Sequence, residues 1–357
     1  MPAKPVSANL LTVADRLLAW YDVHRRALPW RARAGEAADP YRVWLSEVML
    51  QQTTVASVRP RFLDWVARWP DLASLAAADG AEVMAAWAGL GYYARARNLL
   101  KTAQAVVAEH GSRFPADEAA LRTLPGLGAY TAAAVAAIAF GQRAVVVDAN
   151  VERVVARLRA IATPLPAARP AIRAAADAIT PTARAGDFAQ AMMDLGATVC
   201  TPRRPRCLLC PLREDCAGYA TGRRETFPVK AAKRAKPQRY GTVFALLNHC
   251  RPRGGDEILL VRRPARGLLG GMRALPTGPW TDAPPGLAGA PAVADWTILP
   301  ATVAHGFTHF DLQLALAVAR GQGHGDVPGD WWPVADLAAA GLPTVFAKAA
   351  RLLEPEP

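Results

Sequence analysis

Apolar residues recur at three- and four-residue intervals through the first half of the chain and gather into short runs in the last third. The first pattern lays one apolar face along a helix. The spacing predicts helices over 8–24, 40–69, 71–89, 95–110, 116–123, 129–140, 150–161 and 168–180. Abundant alanine supports them, because alanine loses no side-chain freedom in a helix. After Tyr240 the texture changes. YGTVFALLNH, DEILLVRR, WTILPATVAH and FDLQLALAVAR read as strands between Gly/Pro-rich loops such as GPWTDAPPGLAGAP. The organisation this predicts is a helical region over 1–222, a linker over 223–239 and an α+β region over 240–357. No internal repeat is evident.

At 357 residues the chain exceeds one ordinary domain, and 52% hydrophobic content is ample for two cores. No apolar run is long enough to cross a bilayer, so a soluble chain with no membrane partner is expected. The N-terminal MPAKPVSANL lacks the apolar core of a signal peptide, and a cytoplasmic location follows as the expectation, with a monomer as the default. Charge adds a partner. The net charge of +12 and pI near 10.0 suit a polyanion, most readily nucleic acid. Residues 240–357 carry nine Lys/Arg against ten Asp/Glu, so all the excess positive charge lies before them. The stretch from Arg223 to Arg239 is especially basic and holds Pro228 and Pro237, and it reads as an extended linker, either simply solvated or tracking phosphates.

Four of the five cysteines, Cys200, Cys207, Cys210 and Cys216, fall in one stretch as C-x6-C-x2-C-x5-C. Clustered thiols without signs of secretion bind metal more often than they form disulfides. Four sulfur ligands suit zinc or an iron–sulfur cluster. Zinc sites usually bring two close Cys pairs, and only Cys207 and Cys210 are so spaced. The spacing favours a [4Fe–4S] cluster, with structural zinc as the alternative. Cys250, outside the motif, reads as a small buried hydrophobe.

Between two predicted helices lies LRTLPGLGAYTAAAVAAIAF. Gly126 and Gly128 let the backbone turn tightly and expose consecutive N–H groups at a helix N-terminus, a ready anion site. An ordinary helix–helix turn would look much the same. With a basic domain around it and a four-Cys loop downstream, it resembles the helix–hairpin–helix DNA glycosylases. Members of that superfamily that also cut the strand use a hairpin lysine as Schiff-base nucleophile. Here no lysine occurs between Lys101 and Lys230, and the matching position holds Tyr130. Glycosidic cleavage without strand cutting is therefore expected.

WLSEVMLQQT at 44–53, AGLGYYARARNL at 88–99, LPGLGAYTA at 124–132, VDANVERV at 147–154 and the cysteine loop narrow the match. Together they resemble the MutY family, adenine DNA glycosylases that remove adenine mispaired with 8-oxoguanine. The resemblance covers almost the whole chain. It implies a mainly α fold, a helix–hairpin–helix DNA glycosylase with an iron–sulfur loop, plus a C-terminal α+β Nudix-like domain. The implied cofactor is a [4Fe–4S] cluster. The implied partner is duplex DNA holding adenine opposite 8-oxoguanine or guanine.

Residue roles follow from the same resemblance. Glu47 is implied as the general acid that protonates adenine, which leaves poorly while neutral. Its helix register shares a face with Trp44, Val48 and Gln51, and burial of a carboxyl raises its pKa. Asp148 would steady the oxocarbenium-like sugar, although an N-cap is its plain reading, and both roles can coexist. Asn150 is implied as a hydrogen-bonding partner in the site and Tyr130 as its lining. Arg31 and Gln190 match positions along the adenine pocket. Gln52, Thr53, Leu90 and Tyr92 match residues that wedge beside 8-oxoguanine while the adenine is everted. The arginine-rich TPRRPR, inside the cysteine loop, fits a rigid loop pressed on phosphates.

In the last third, Phe307, Thr308 and His309 occupy the family's Phe-Ser-His motif for the oxidised base, with threonine adding a methyl to the usual hydroxyl. Only Glu257, Glu354 and Glu356 occur after Tyr240, so no glutamate-rich Nudix box exists and pyrophosphate hydrolysis is not expected. Two rival readings remain. One is an endonuclease III-like pyrimidine-damage glycosylase with lyase activity, against which the missing hairpin lysine weighs. The other is a silent mismatch-binding protein, against which the joint presence of Glu47 and Asp148 weighs.

Overall fold

The computed structural model describes residues 12–33, 35–231, 235–250, 255–264, 267–321 and 327–353. The Cys250 side chain lies outside the described set. The chain divides into two compact units, Met1–Ala232 and Lys233–Pro357.

The first unit is helical. α1 spans Val13–His24, opened by a capping box in which Thr12 and Asp15 satisfy each other's backbone N–H. α2 spans Pro40–Met49, with Asp39 as N-cap and Pro40 at its first position. α3 is Val55–Arg68, α4 Leu72–Ala76, α5 Gly80–Ala86, α6 Ala94–His110 and α7 Glu118–Leu121. α8 is Ala129–Phe140, α9 Ala149–Leu158, α10 Arg169–Asp177, α11 Ala185–Thr198 and α12 Ala217–Ala220. At the centre stands α8, whose residues from Thr131 to Ala137 are all buried. An apolar surface all round requires neighbours all round, and α2, α7 and α11 supply them.

Small residues set the closeness of this packing. A Cβ added to Gly186 on α11 would come within 2.4 Å of the Ala137 carbonyl oxygen on α8. One added to Gly196 would come within 2.6 Å of Asn150 Cβ on α9. Real Cβ atoms do not approach so closely, so α11 lies backbone-deep against both helices.

Two predicted helices are each broken in two. The 40–69 helix stops at Met49 and restarts after Thr54, whose hydroxyl accepts from the Ser57 amide at 3.2 Å. The 71–89 helix splits where Asp79 caps α5, accepting from the Ala81 and Glu82 amides at 2.8 and 3.2 Å. Both breaks are made by side-chain caps that compete with helix continuation. Helix α11 lies beyond the predicted set. The linker also begins later than its charge suggests. Phe227 is 4% exposed in the helical core, its carbonyl accepts from Arg157 Nε at 3.1 Å, and Leu165 bridges to Lys230. An aromatic anchor thus holds the first half of the basic segment down.

The second unit is one mixed sheet carrying a helix. β1 spans Gln238–Cys250, β2 Gly255–Arg262, β3 Arg273–Ala274, β4 Thr297–Gly306, β5 Asp311–Gly321 and β6 Asp330–Pro333. The order is β3-β2-β1-β5-β4, with β6 also on β2. β1 and β5 pair in parallel from Gln238↔Asp311 to Asn248↔Gly321, and the other pairs are antiparallel. Both faces are covered. α13, Thr344–Arg351, buries Val345, Phe346 and Ala349 against Val243, Ala245 and Leu314. On the opposite face Trp296 meets Phe244 edge-on at 5.1 Å.

Candidate active site

The hairpin between α7 and α8 is built on Gly126, at φ +76°, whose missing side chain leaves room for Asn98 Cβ, 2.5 Å from where its own Cβ would stand. Alanine there would be strained twice over, by φ and by contact. Gly128 is the N-cap of α8 and supplies no side chain to it, leaving the first amides of the helix uncapped by side chains. Both glycines border a cleft of about 1120 Å³. Glu47, Tyr130, Asp148 and Asn150 line that cleft, as do Arg31, Gln190, Gln52 and Thr53. Ten of the residues singled out in the sequence therefore share one cavity.

Glu47 projects from α2 and is 6% exposed. Tyr130 Oη donates to Glu47 Oε2 at 2.5 Å. Burial raises the Glu47 pKa to about 7, with the negative charge of Asp148 adding to the rise while the Tyr130 hydrogen bond and the Arg31 charge oppose it. Near neutrality this carboxyl therefore holds a proton about half the time. Burial and the two carboxylates push the Tyr130 hydroxyl far above its usual range, so it remains a donor.

Asp148 caps α9, accepting from the Val151 amide at 2.7 Å and from Asn150 Nδ2 at 2.9 Å. Burial raises its pKa, and these hydrogen bonds together with the Arg153 charge act against the rise. The Asn150 amide has one orientation, because Arg153 Nη2 donates to its Oδ1 at 2.8 Å. Arg153 also donates to the carbonyls of Cys200 and Gly196, at 2.8 and 2.7 Å. A continuous chain of donors thus runs from the cysteine loop to the aspartate.

Arg31 is held more tightly than its sequence context suggests. Its guanidinium makes a forked pair with Asp194, at 2.6 and 2.9 Å, and Arg26 Nε donates to the same carboxylate at 2.5 Å. Asp194 is fully buried. Sequence reading missed it, although a lone acid within the apolar AMMDLGA is the mark of a buried ion pair. Gln190, on the same helix, faces the cleft with its amide 3.5 Å from the Gly186 carbonyl. Gln51, also missed, ties the end of α2 to α8 by donating to Thr131 Oγ1 at 3.2 Å.

The four residues expected to form a wedge divide. Gln52 and Tyr92 are exposed and stand at positive φ, 56° and 48°, and Tyr92 is 56% exposed. Thr53 is half-buried beside Gln52. Leu90 differs from them in burial: it is 4% exposed, and its side chain anchors the loop in the helical core.

Cys200, Cys207, Cys210 and Cys216 are free thiols, each half-buried. Arg157 Nη1 donates to Cys200 Sγ at 3.3 Å, and Cys216 Sγ lies 3.5 Å from the Arg157 carbonyl. Burial pushes the Cys210 thiol up to about 12 and raises Cys207 and Cys216, with the charge of Cys200 adding to each. Among the described residues no three His, Cys, Asp or Glu side chains close into a group able to hold a metal ion.

In the second unit Phe307, Thr308 and His309 form the turn joining β4 to β5. Phe307 is packed among Trp280, His305 and Phe310, with ring centroids 5.6, 4.7 and 4.9 Å away. Thr308 and His309 are exposed at the tip.

With this geometry in place, the similarities are specific. A family model described as HhH-GPD superfamily base excision DNA repair protein matches residues 45–178, and one described as NUDIX domain matches 249–352. The adenine DNA glycosylase of Mycolicibacterium smegmatis is 46% identical over 209 residues, covering 58% of this chain and 70% of the relative. That of Homo sapiens is 39% identical over 321 residues, covering 76% of this chain and 58% of the relative. The chain thus spans about three fifths of the length of the human protein. A solved thermostable thymine-DNA glycosylase superposes with TM-score 0.52 at 29% identity, over 58% of this chain and 95% of that one. Endonuclease III from a non-covalent DNA complex does so with TM-score 0.50 at 24% identity, over 59% and 95%, which places the helical fold. By these matches the chain belongs to the adenine DNA glycosylase family.

Proposed function

We propose that the protein hydrolyses the N-glycosidic bond of adenine opposite 8-oxoguanine or guanine in duplex DNA. One observation carries the reading: a buried glutamate with a pKa near 7 shares a cleft with a rigidly held aspartate. Glu47 gives its proton to N7 of the everted adenine as the C1′–N9 bond breaks and its electron pair moves into the purine. Asp148 stabilises the positive charge left on the sugar, fixed in place by Val151, Asn150 and Arg153. Water then adds at C1′ and loses a proton to the Glu47 carboxylate. Tyr130 orients the acid and supplies no amine, so the strand stays intact. Gln52, Thr53 and Tyr92 fill the gap beside the opposite base, while Gly126, Gly128 and the uncapped start of α8 receive a phosphate.

Cys200, Cys207, Cys210 and Cys216 would hold a [4Fe–4S] cluster. Thiols that burial keeps protonated need a cation before they ionise together, and soft sulfur donors suit iron. Bound there, the cluster supplies a rigid anchor for TPRRPR against the backbone, outside the chemistry at C1′. Elemental analysis is expected to return iron with visible absorption; stoichiometric zinc would refute the assignment.

The second unit reads the oxidised base through Thr308 and His309, with Phe307 holding their turn. 8-Oxoguanine adds an O8 acceptor and an N7–H donor, so discrimination needs new polar partners. The decisive experiment is single-turnover cleavage of duplexes with adenine opposite 8-oxoguanine, adenine opposite guanine, and thymine glycol. Adenine is expected to be released from the first two only. Release of thymine glycol alone would overturn the reading in favour of a pyrimidine glycosylase. Replacing Thr308 and His309 together by alanine is expected to lower the preference for 8-oxoguanine over guanine about tenfold. An unchanged preference would remove lesion reading from that turn.

A further inference from the structure

The loop at 50–54, between α2 and α3, and the loop at 87–93, between α5 and α6, are far apart in sequence but share one side chain. Arg95, in the first turn of α6, points its two terminal nitrogens in different directions. Nη1 donates to the carbonyls of Val48, Met49 and Gln51, at 2.8, 3.2 and 2.6 Å. Nη2 donates to the carbonyls of Leu90 and Gly91, at 2.7 and 3.2 Å. The guanidinium also lies 5.1 Å from the Trp87 ring centroid and 5.7 Å from that of Tyr92. Nη1 therefore serves the end of α2 and the loop that follows it, while Nη2 serves the second loop and also reaches Thr53 Oγ1 of the first, at 3.5 Å. Each loop in turn carries an exposed residue at positive φ, Gln52 and Tyr92, a conformation that costs about 1 kcal/mol or more for a side chain other than glycine. Neither residue would hold that backbone unaided.

We infer that Arg95 is a positioning residue that locks the two loops into a single wedge, fixing Gln52 and Tyr92 for eversion of the adenine. It does not touch the reacting atoms. The inference rests on the proposed excision of adenine from duplex DNA. Lysine retains the charge but has one nitrogen, so it must release one loop. Arg95→Lys is expected to slow single-turnover excision about tenfold or more when adenine must be pulled from a base pair. With adenine opposite an abasic-site analogue, already unpaired, the loss should be under about threefold. In a background of Gln52→Ala and Tyr92→Ala, Arg95→Lys should cost little more, since the parts it positions are gone.

Equal losses on paired and unpaired adenine, or full additivity with the loop variants, would overturn the inference. If the unaltered protein released no adenine from either duplex, the proposed function would fall instead. Should Arg95→Lys not fold, hydrogen exchange on the unaltered protein decides. Amides of 50–54 and 89–93 exchanging with one common opening free energy support a locked wedge, and clearly different values refute it.

Discussion

Glu47→Gln is expected to lower single-turnover excision of adenine by about 10³-fold while leaving affinity for the mispaired duplex nearly unchanged. Glutamine has the volume and polarity to accept the Tyr130 hydrogen bond, so the cleft keeps its shape and loses only the transferable proton. In the unaltered protein the rate should fall about tenfold per pH unit above pH 7, as the carboxyl empties. The substituted protein should lack that limb. If its rate stays within about threefold of the original, another group supplies the proton. Stability moves the opposite way. Burial lifts the Glu47 pKa from 4.5 in the ordinary state to about 7 in the fold, so the fold binds this proton more tightly than the unfolded chain does. The stabilisation is complete below pH 4.5 and lost as pH rises to 7, on the order of 3 kcal/mol across that window. At pH 8 Glu47→Gln should therefore raise the melting temperature, which differential scanning calorimetry would read.

The second large effect is expected at Asp148. Asp148→Asn should slow excision by about 10³-fold, because the sugar cation loses its facing anion. Helix α9 should survive, since an amide oxygen can still accept from the Val151 amide, and an Asn cap is as good as an Asp cap to within about 0.5 kcal/mol. The new amide nitrogen, however, faces Asn150 Nδ2, which Arg153 prevents from flipping. Two donors then meet, and one must go without a partner at a cost of about 1–3 kcal/mol. A fall in rate with folding retained separates the aspartate's electrostatic part from its capping part. A rate loss no larger than the loss in folded fraction would leave it only a cap.

What could be read in advance was whatever is local. Alanine-rich apolar periodicity placed α8, and the same chemistry that makes Asp148 an N-cap placed the start of α9. The motifs around Glu47, Tyr130 and Asn150 were legible as short strings, and the cleft unites them. The interruptions of two long helices were hidden in Thr54 and Asp79, whose capping competes with helix only in a given geometry. Asp194 acts on Arg31, and Arg95 on the end of α2 and the loop after it, across long sequence separations that no periodicity reveals. The burial of Leu90 was hidden for a related reason. The string AGLGYY does not say which of its large residues turns inward, and the structure buries the leucine while exposing Tyr92. In the second unit the parallel pairing of β1 with β5 joins strands more than sixty residues apart, beyond any local signal.

The close seating of α11 bears on how this enzyme family can change its substrate. Gly186 and Gly196 leave the helix no slack against Ala137 on one neighbour and Asn150 on the other. Gln190 sits between these two contact points, so the wall it forms cannot be shifted outward or inward as a unit. A different base would have to be admitted by exchanging side chains on an immovable frame. Divergence here is a matter of repainting the wall, and any attempt to rebuild it would first disturb Asn150, which donates to Asp148.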